Sequence, residues 1–284
     1  MALPPDAPST VAPRPSRPHH LGRVVRSERL SSSFVRLTLG GPGLAAFTPS
    51  AFADAYVKLE WPVADGSAAR RAYTVRAAGT GDDGHPEIAV DVVLHGGSSG
   101  GLVGLGAQWA AAAQPGEEIT VLGPGGAWSP DPHADWHLFA GDASAAPAIA
   151  AGVAQLPAGA QAVVVVEAPT ADDVAHLTRD LVPAAGRQVT LVLPVADHGA
   201  TGAALVAAVR AVPWREGRID AFVHGEAGAV RLLRAYLRTE RAVPREELSI
   251  SGYWRLGAVD EVWRATKRAW LAEIEAAEAA AGVD

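Results

Sequence analysis

Three side chains that could hold a flat, phosphorylated cofactor stand close together in the sequence, at Arg71, Tyr73 and Thr74. On an extended strand, Arg71 and Tyr73 would point to one side, and Thr74 to the other side or into a bend. A flavin dinucleotide needs a cation for its diphosphate, a flat surface for its ring and a hydrogen-bond donor near the reactive ring nitrogen. Residues 71–76 are therefore predicted to form a flavin-binding strand. The alternative is an ordinary barrel strand with an exposed Arg and a core Tyr.

Further short motifs follow this strand, and they are specific as a set although no single one is. They comprise residues 91–96, a Gly-rich loop that leads to residues 108–110, and residues 115–117, 123–126, 140–147, 225–226 and 251–255. In this order the set resembles the siderophore-interacting protein family, the FAD-dependent ferric-siderophore reductases related to ferredoxin reductases. The resemblance covers about residues 20–257. It implies FAD and NADH or NADPH as cofactors and a ferric siderophore as substrate.

The resemblance also implies roles for residues in the first half of the chain. Arg71 would bind the FAD diphosphate, Tyr73 would pack on the isoalloxazine ring, and Thr74 would hydrogen-bond to it, which places Tyr73 and Thr74 at the reacting ring. Further cofactor contacts are expected from Asp91, Val93, His95, Gly96, Gln108 and Trp109. His95 could equally be structural. Ala107 stands where the family has a small or hydroxyl residue, so backbone donors would have to bind the phosphate there.

A second set of motifs would bind the nicotinamide nucleotide. Residues 141–147 resemble a Gly-Asp-Glu-Thr-X-X-Pro motif with Ala143 and Ser144 as departures, and Ser144 could also be a plain helix N-cap. Ligands of open α/β sheets bind at the carboxyl ends of the strands. The residues expected there are Gly141, Asp142, Ser144, Gly225, Glu226, Tyr253 and Trp254, the last two with simple packing as the alternative. Glu167, at another strand end, favours an unphosphorylated ribose and so NADH.

A cationic opening is expected for the substrate, because ferric siderophores are often anionic. Lys58 and Arg255 are the candidates, and each could equally be a solvated surface charge. His133 and His137 have a spacing that could ligate a metal on a helix, but they flank the start of a strand, so no metal site is predicted.

Composition narrows the function classes. The chain has 284 residues, of which 49% are hydrophobic, so it can bury a substantial core in one large or two ordinary domains. A net charge of −7 argues against a nucleic-acid partner. The absence of Cys excludes disulfides, Fe–S clusters ligated by Cys and thiol catalysis, so redox chemistry requires a bound cofactor. Without a long apolar run or a signal-peptide pattern, a cytoplasmic protein with no membrane span is expected.

The hydrophobic pattern changes once along the chain. Up to about residue 126 it predicts strands over residues 23–26, 34–39, 55–61, 71–76, 87–94 and 118–122, with one helix near 108–113. This part is predicted to be a small closed antiparallel β-barrel. From Trp136, apolar strands over residues 137–140, 162–166, 189–193, 221–223 and 248–252 alternate with helices over 145–155, 171–181, 203–209 and 227–239. This alternation predicts a doubly wound parallel α/β sheet.

The domain prediction combines these patterns with the motifs. It gives a disordered Pro-rich tail over residues 1–19, an FAD-binding barrel over 20–127, an NAD(P)H-binding α/β domain over 128–257 and a C-terminal helix over 258–284, with a linker near 123–132. The last helix, with Glu273, Glu275 and Glu278 among alanines, is expected to be amphipathic and to face solvent.

The resemblance implies a reaction in which hydride passes from the nicotinamide to the flavin, and single electrons then pass to siderophore-bound Fe(III), so that iron is released as Fe(II) in the cytoplasm. Two other functions stay open. One is a general flavin-dependent electron-transfer reductase, with ferredoxin as a possible partner. The other is a siderophore-binding or FAD-binding protein without turnover.

Overall fold

The barrel predicted for the first half is present. The computed structural model describes residues 18–63, 66–95, 104–182, 186–196 and 202–283. Six strands, β1 His19–Arg29, β2 Phe34–Gly40, β3 Tyr56–Pro62, β4 Ala68–Thr80, β5 Pro86–Val93 and β6 Glu118–Gly125, close in the order β1-β2-β5-β4-β3-β6. All neighbouring pairs are antiparallel, and helix α1, Leu105–Ala112, lies between β5 and β6 in the chain.

Alternation along the strands builds the barrel core. In β3, Val57, Leu59 and Trp61 are buried, while the residues between them are partly exposed. Side chains of a barrel strand point alternately in and out, so this pattern fixes which face is internal. β6 runs on to Gly125, past the predicted strand end at residue 122, so the connection to the second domain spans residues 126–135 rather than 123–132.

The second half is the predicted doubly wound sheet. Strands β7 Trp136–Asp142, β8 Gln161–Glu167, β9 Gln188–Val192, β10 Ile219–Glu226 and β11 Leu248–Trp254 are all parallel, in the order β11-β10-β7-β8-β9. The helices are α2 Ala146–Gln155, α3 Asp173–Leu181, α4 Ala203–Arg210 and α5 Ala227–Ala235, which continues into a π-helical turn at Tyr236–Glu240. β7 and β10 are buried throughout because helices cover both faces. The strand order reverses at β7, and the crevice at its carboxyl end is where such sheets bind ligands.

Polar contacts join the barrel to the sheet domain. Asp173, in the first turn of α3, accepts hydrogen bonds from the hydroxyls of Ser31 (2.6 Å) and Ser33 (2.7 Å) in the β1–β2 turn. Asp180, at the other end of α3, accepts from Arg76 on β4 at 3.0 Å. Both ends of α3 are therefore attached to the barrel. The predicted tail falls mostly on residues 1–17, which lie outside the described residues, and His19 already belongs to β1.

The C-terminal helix α6, Asp260–Ala280, is amphipathic as expected, and most of its residues are exposed or partly exposed, but one face packs against the protein. Trp263, Trp270 and Ile274 are buried in an apolar cluster with residues of α5. Glu278 is buried too, and both its oxygens accept hydrogen bonds from Arg234 on α5, at 2.5 and 2.7 Å. The prediction was wrong for Glu278 because a cation on another helix compensates its charge. Within the described part of the chain, no helix combines the length and apolarity needed to cross a membrane.

Replacing Glu278 with Gln should leave Arg234 buried and unpaired, because the side chains of this pair are only 7% and 9% exposed. We expect a loss of about 3–5 kcal/mol in the free energy of unfolding, measured with urea. Glu275→Gln is the matched control on the same helix. Its ion pair with Arg245 is exposed, so the change should cost under about 1 kcal/mol. Equal effects of the two substitutions would contradict a stabilising role for the buried pair.

Candidate flavin and nicotinamide site

The predicted flavin strand is β4, and its burial differs from that of its neighbours. β3 and β5 each bury several side chains, whereas none of the 13 residues of β4 is buried, although β4 lies between them in a closed barrel. A wall strand without fully buried residues keeps part of its side-chain surface accessible. Arg71, Tyr73 and Thr74 lie on this strand, so a cation, an aromatic ring and a hydroxyl are all within the open strip, as a flavin dinucleotide requires.

The side chains of Arg71, Tyr73 and Thr74 alternate between the two faces of β4, as predicted. Arg71 and Tyr73 lie directly opposite Leu59 and Val57 on β3, and Thr74 lies opposite Tyr56. Directly opposed residues of an antiparallel pair share a face, so Arg71 and Tyr73 are on one face and Thr74 is on the other.

Tyr73 is half-buried against the barrel core and α1. A Cβ atom added to Gly106 would lie 1.8 Å from the phenol oxygen of Tyr73, so only Gly fits at this position of α1. Burial raises the pKa of Tyr73, which keeps the phenol neutral. The sequence motif identified the Tyr but not the Gly that makes room for it, because the two are brought together only by the fold.

Asp91 does not have the geometry of a cofactor ligand. Its two oxygens accept hydrogen bonds from Nε and Nη2 of Arg36, each at 2.7 Å. The carboxylate is therefore committed to a bidentate ion pair on the neighbouring strand, and the predicted cofactor contact has no support from this side chain. Arg36 lies directly opposite Asp91 in the β2–β5 ladder, so the partner could be identified only once the strand register was known.

The other predicted flavin contacts lie around the carboxyl end of β5 and α1. Val93 packs against the apolar cluster of the sheet domain, and Nδ1 of the exposed His95 lies 3.3 Å from the Val93 carbonyl oxygen. Trp109 packs edge-to-face on Trp61, with 5.5 Å between ring centroids, and Gln108 is on the exposed side of α1. Gly96 lies outside the described residues, as does most of the Gly-rich loop.

At the carboxyl edge of the sheet, the buried carboxylate of Asp142 accepts four hydrogen bonds from neighbouring residues. Its Oδ1 accepts from the backbone N–H (2.8 Å) and hydroxyl (2.5 Å) of Ser144. Its Oδ2 accepts from the Glu226 N–H (2.7 Å) and from Nε1 of Trp254 (2.8 Å). Burial raises the pKa of Asp142, although these hydrogen bonds oppose the shift.

These contacts show what two of the predicted residues do within the protein. The side chain of Asp142 holds the ends of β7, β10 and β11 together. Ser144 is not the N-cap of α2, which begins at Ala146, because its hydroxyl donates to Asp142.

The two glutamates at strand ends cap helices. Oε2 of Glu226 accepts from the N–H of Ala229 in the first turn of α5, and Oε1 accepts from the N–H of Leu256. The oxygens of Glu167 accept from the N–H groups of Gly202 and Leu205 at the start of α4. Orphan N–H groups at a helix start are satisfied by such acceptors. Glu167 is therefore occupied, and the preference for NADH inferred from it has no structural basis.

Two glycines allow the strand ends to approach closely. A Cβ on Gly141 would lie 2.5 Å from the carbonyl oxygen of His224. Gly225 has φ of +143°, and a Cβ there would lie 2.7 Å from Oδ2 of Asp142. Both glycines are buried, and their lack of a side chain lets the ends of β7 and β10 pack closely against neighbouring protein atoms.

Tyr253 connects this edge to the barrel. Its ring lies 4.8 Å from that of His224, and burial raises the pKa of Tyr253, with a further contribution from the charge of Asp54. Asp54 precedes β3 and accepts hydrogen bonds from the N–H groups of Ala127 and Trp128. Tyr56, two residues further on, stands opposite Thr74. The carboxyl edge of the sheet and the Thr74 end of β4 therefore lie close to each other, with Tyr253 near both.

The two positively charged residues predicted to bind the substrate lie near the start of α6. Lys58 is on β3, close enough to Asp260 for its charge to act on that carboxyl, and Arg255 is exposed in the loop between β11 and α6. His137 is buried, with Nε2 3.0 Å from the carbonyl oxygen of Asp131. Over the described ranges, no group of three or more His, Cys, Asp or Glu residues could hold a metal ion.

Replacing Asp142 with Asn should destabilise the sheet edge. Each oxygen of Asp142 accepts two hydrogen bonds, one of them from a backbone N–H. In either orientation of the Asn side chain, its NH2 group would replace one of these oxygens and would face a backbone N–H that also donates. We expect a loss of about 1–3 kcal/mol in the free energy of unfolding. Asp82→Asn, at an exposed turn, removes the same charge and should change stability by less than about 0.5 kcal/mol. A stable Asp142→Asn protein would show that the four hydrogen bonds are dispensable.

His224 predicts a dependence of stability on pH. Burial, together with the charge of Lys267, lowers the pKa of His224 from 6.5 to about 3. Between these values the unfolded chain takes up a proton that the folded protein excludes. Stability should therefore be fully present above pH 6.5 and fall as the pH drops, with a contribution of about 1.4 kcal/mol per pH unit from this residue. Urea unfolding at several pH values should give a shallower slope for His224→Gln, and parallel slopes would contradict the assignment.

Comparison with known proteins matches two parts of the chain to two family models, both described as siderophore-interacting. The family described as siderophore-interacting FAD-binding domain matches residues 59–128, which include the open strip of β4. The family described as siderophore-interacting protein matches residues 134–257, which include the whole parallel sheet.

Individual relatives agree with these matches. Uncharacterized protein Rv2895c of Mycobacterium tuberculosis is 41% identical over 92% of this chain and 98% of its own length. Ferric vibriobactin reductase ViuB of Vibrio cholerae is 30% identical over 84% of this chain and 90% of its own. The crystal structure of siderophore-interacting protein SipS from Aeromonas hydrophila superposes with a TM-score of 0.74 at 26% identity, covering 90% of this chain and 98% of that one. The chain belongs to the siderophore-interacting protein family.

Proposed function

We propose that this protein is a ferric-siderophore reductase that binds FAD, oxidises NADH or NADPH, and reduces siderophore-bound Fe(III) to Fe(II). The observation that carries the proposal is the placement of Arg71, Tyr73 and Thr74 on β4, a strand without fully buried residues whose Thr74 end lies close to the carboxyl edge of the sheet. The family match to an FAD-binding domain over this strand and the reductase activity in the name of ViuB support it.

Three residues of β4, Arg71, Tyr73 and Thr74, would each have a role in this function. The Arg71 guanidinium would neutralise the diphosphate, and the neutral ring of Tyr73 would provide a flat, apolar surface. The Thr74 hydroxyl, on the opposite face of β4, would donate a hydrogen bond to the reacting ring. Bound FAD would supply the chemistry that links two-electron oxidation of NAD(P)H to one-electron reduction of iron.

The nicotinamide would enter the crevice at the carboxyl ends of β7 and β10. The side chain of Asp142 fixes the ends of these strands and holds Trp254 beside them. Tyr253, half-buried between this edge and the barrel, would exclude water from the space between the two cofactors. The acidic residues predicted here act as positioning residues.

The substrate would be bound by charge and released by reduction. Lys58 and Arg255 supply positive charge beside the cleft, which suits an anionic iron complex. Hard oxygen chelators hold Fe(II) far less tightly than Fe(III), so the product leaves the siderophore without a metal site on the protein. We place this reaction in the cytoplasm.

The test is an anaerobic absorbance spectrum of the protein loaded with FAD. NADH or NADPH should bleach the flavin, and a ferric siderophore should restore its colour while a chelator traps Fe(II). Thr74→Ala should slow bleaching about tenfold, the equivalent of one hydrogen bond. Thr80→Ala, an exposed threonine on the same strand, should have no effect. A protein that takes up no FAD would disprove the proposal.

The same experiment separates the two alternatives. A flavin that NAD(P)H does not reduce, but that reduced ferredoxin reduces in a salt-sensitive way, would indicate a general electron-transfer reductase. A flavin that dithionite reduces but a ferric siderophore does not reoxidise would indicate a binding protein without turnover.

A further inference from the structure

The arginine assigned to the FAD diphosphate is paired with the C-terminal helix. Nη1 of Arg71 lies 2.6 Å from Oε1 of Glu261 and 3.4 Å from Oδ2 of Asp260, and it also donates to the Arg70 carbonyl at 2.9 Å. The Arg71 side chain is only 21% exposed in this arrangement. The carboxylates in the first turn of α6 therefore pair with the same guanidinium that a diphosphate would need.

Both carboxylates keep favourable interactions when Arg71 leaves them. Asp260 has a second cation partner, because Nε of Arg264 on the next turn lies 2.8 Å from its Oδ2. The Glu261 side chain is 52% exposed, so water can solvate it. Carboxylates in the first turn of a helix also interact favourably with the helix dipole. Arg71 can consequently leave this contact without creating a buried, unpaired charge.

The rest of α6 holds these carboxylates at the cleft. Trp263 and Trp270 are buried, and the Glu278–Arg234 ion pair anchors the far end of the helix. A diphosphate bound by Arg71 would thus stand beside two fixed negative charges, and like charges at such distances repel. Binding of the phosphates has to overcome both this repulsion and the existing ion pairs.

We propose that Asp260 and Glu261 compete with the FAD diphosphate for Arg71, so that the first turn of α6 sets the affinity for the cofactor. This inference rests on the proposed use of FAD. Both residues lie beyond the two regions matched by the family, residues 59–128 and 134–257. The competition concerns phosphate only, so a flavin without phosphate should not sense it.

The test is equilibrium flavin binding to the full chain, followed by flavin fluorescence. Glu261→Gln and the Asp260→Asn/Glu261→Gln double variant keep the side-chain shapes and remove the charges. We expect FAD to bind about three- to tenfold more tightly to the double variant, and riboflavin to bind unchanged. Glu273→Gln, an exposed position on the same helix, removes one charge away from Arg71 and should change neither ligand. Unchanged or weaker FAD binding, or an equal gain for riboflavin, would overturn the inference.

A second measurement does not depend on variants. Hydrogen exchange in the first turn of α6 should become faster when FAD binds to the native protein, because the contacts to Arg71 are lost. Slower exchange would show that FAD and α6 bind Arg71 together and would overturn the competition. A native protein that binds no FAD would disprove both proposals, whereas one that binds FAD with equal affinity in all variants would disprove only this one.

Discussion

The carboxylate of Asp142 is the interaction on which the cleft depends. It is buried at the end of β7 and accepts four hydrogen bonds, which come from Ser144, Glu226 and Trp254. The ladders of β10 with β7 and β11 position the three strands up to their last pairs, and the hydrogen bonds of Asp142 add a further constraint at these ends. Asp142 provides it for three strands at once. The crevice, the position of Tyr253 and the path of the chain toward α6 all follow from this arrangement.

Acidic residues at strand ends have a common purpose in this protein. Asp142, Glu167 and Glu226 accept hydrogen bonds from backbone N–H groups at strand and helix ends, so each of these carboxylates has partners within the protein. β4 of the barrel differs in that its side chains keep part of their surface exposed.

The fold could be predicted from the sequence because its two hydrophobic patterns are distinct. Alternating strands indicated the barrel, and continuous apolar strands between helices indicated the covered parallel sheet. The failures concern pairs that only the fold brings together. Arg36 and Asp91 meet through strand register, and Glu278 is buried because Arg234 on α5 reaches it. For the same reason, Asp142 and Glu226 could be placed at the sheet edge by motif while their hydrogen-bond partners could not.

The hydrogen bond from the Leu256 N–H to Glu226 has a consequence for the two ends of the cleft. It fixes the chain just after β11, and only a few residues separate this point from Asp260 and Glu261 at Arg71. One short segment, attached at both ends, therefore connects the carboxyl edge of the sheet to Arg71 on the barrel. Because the segment is short, it limits how far the two attached points can move apart. Any change in the angle between barrel and sheet has to strain it or break one of its two attachments.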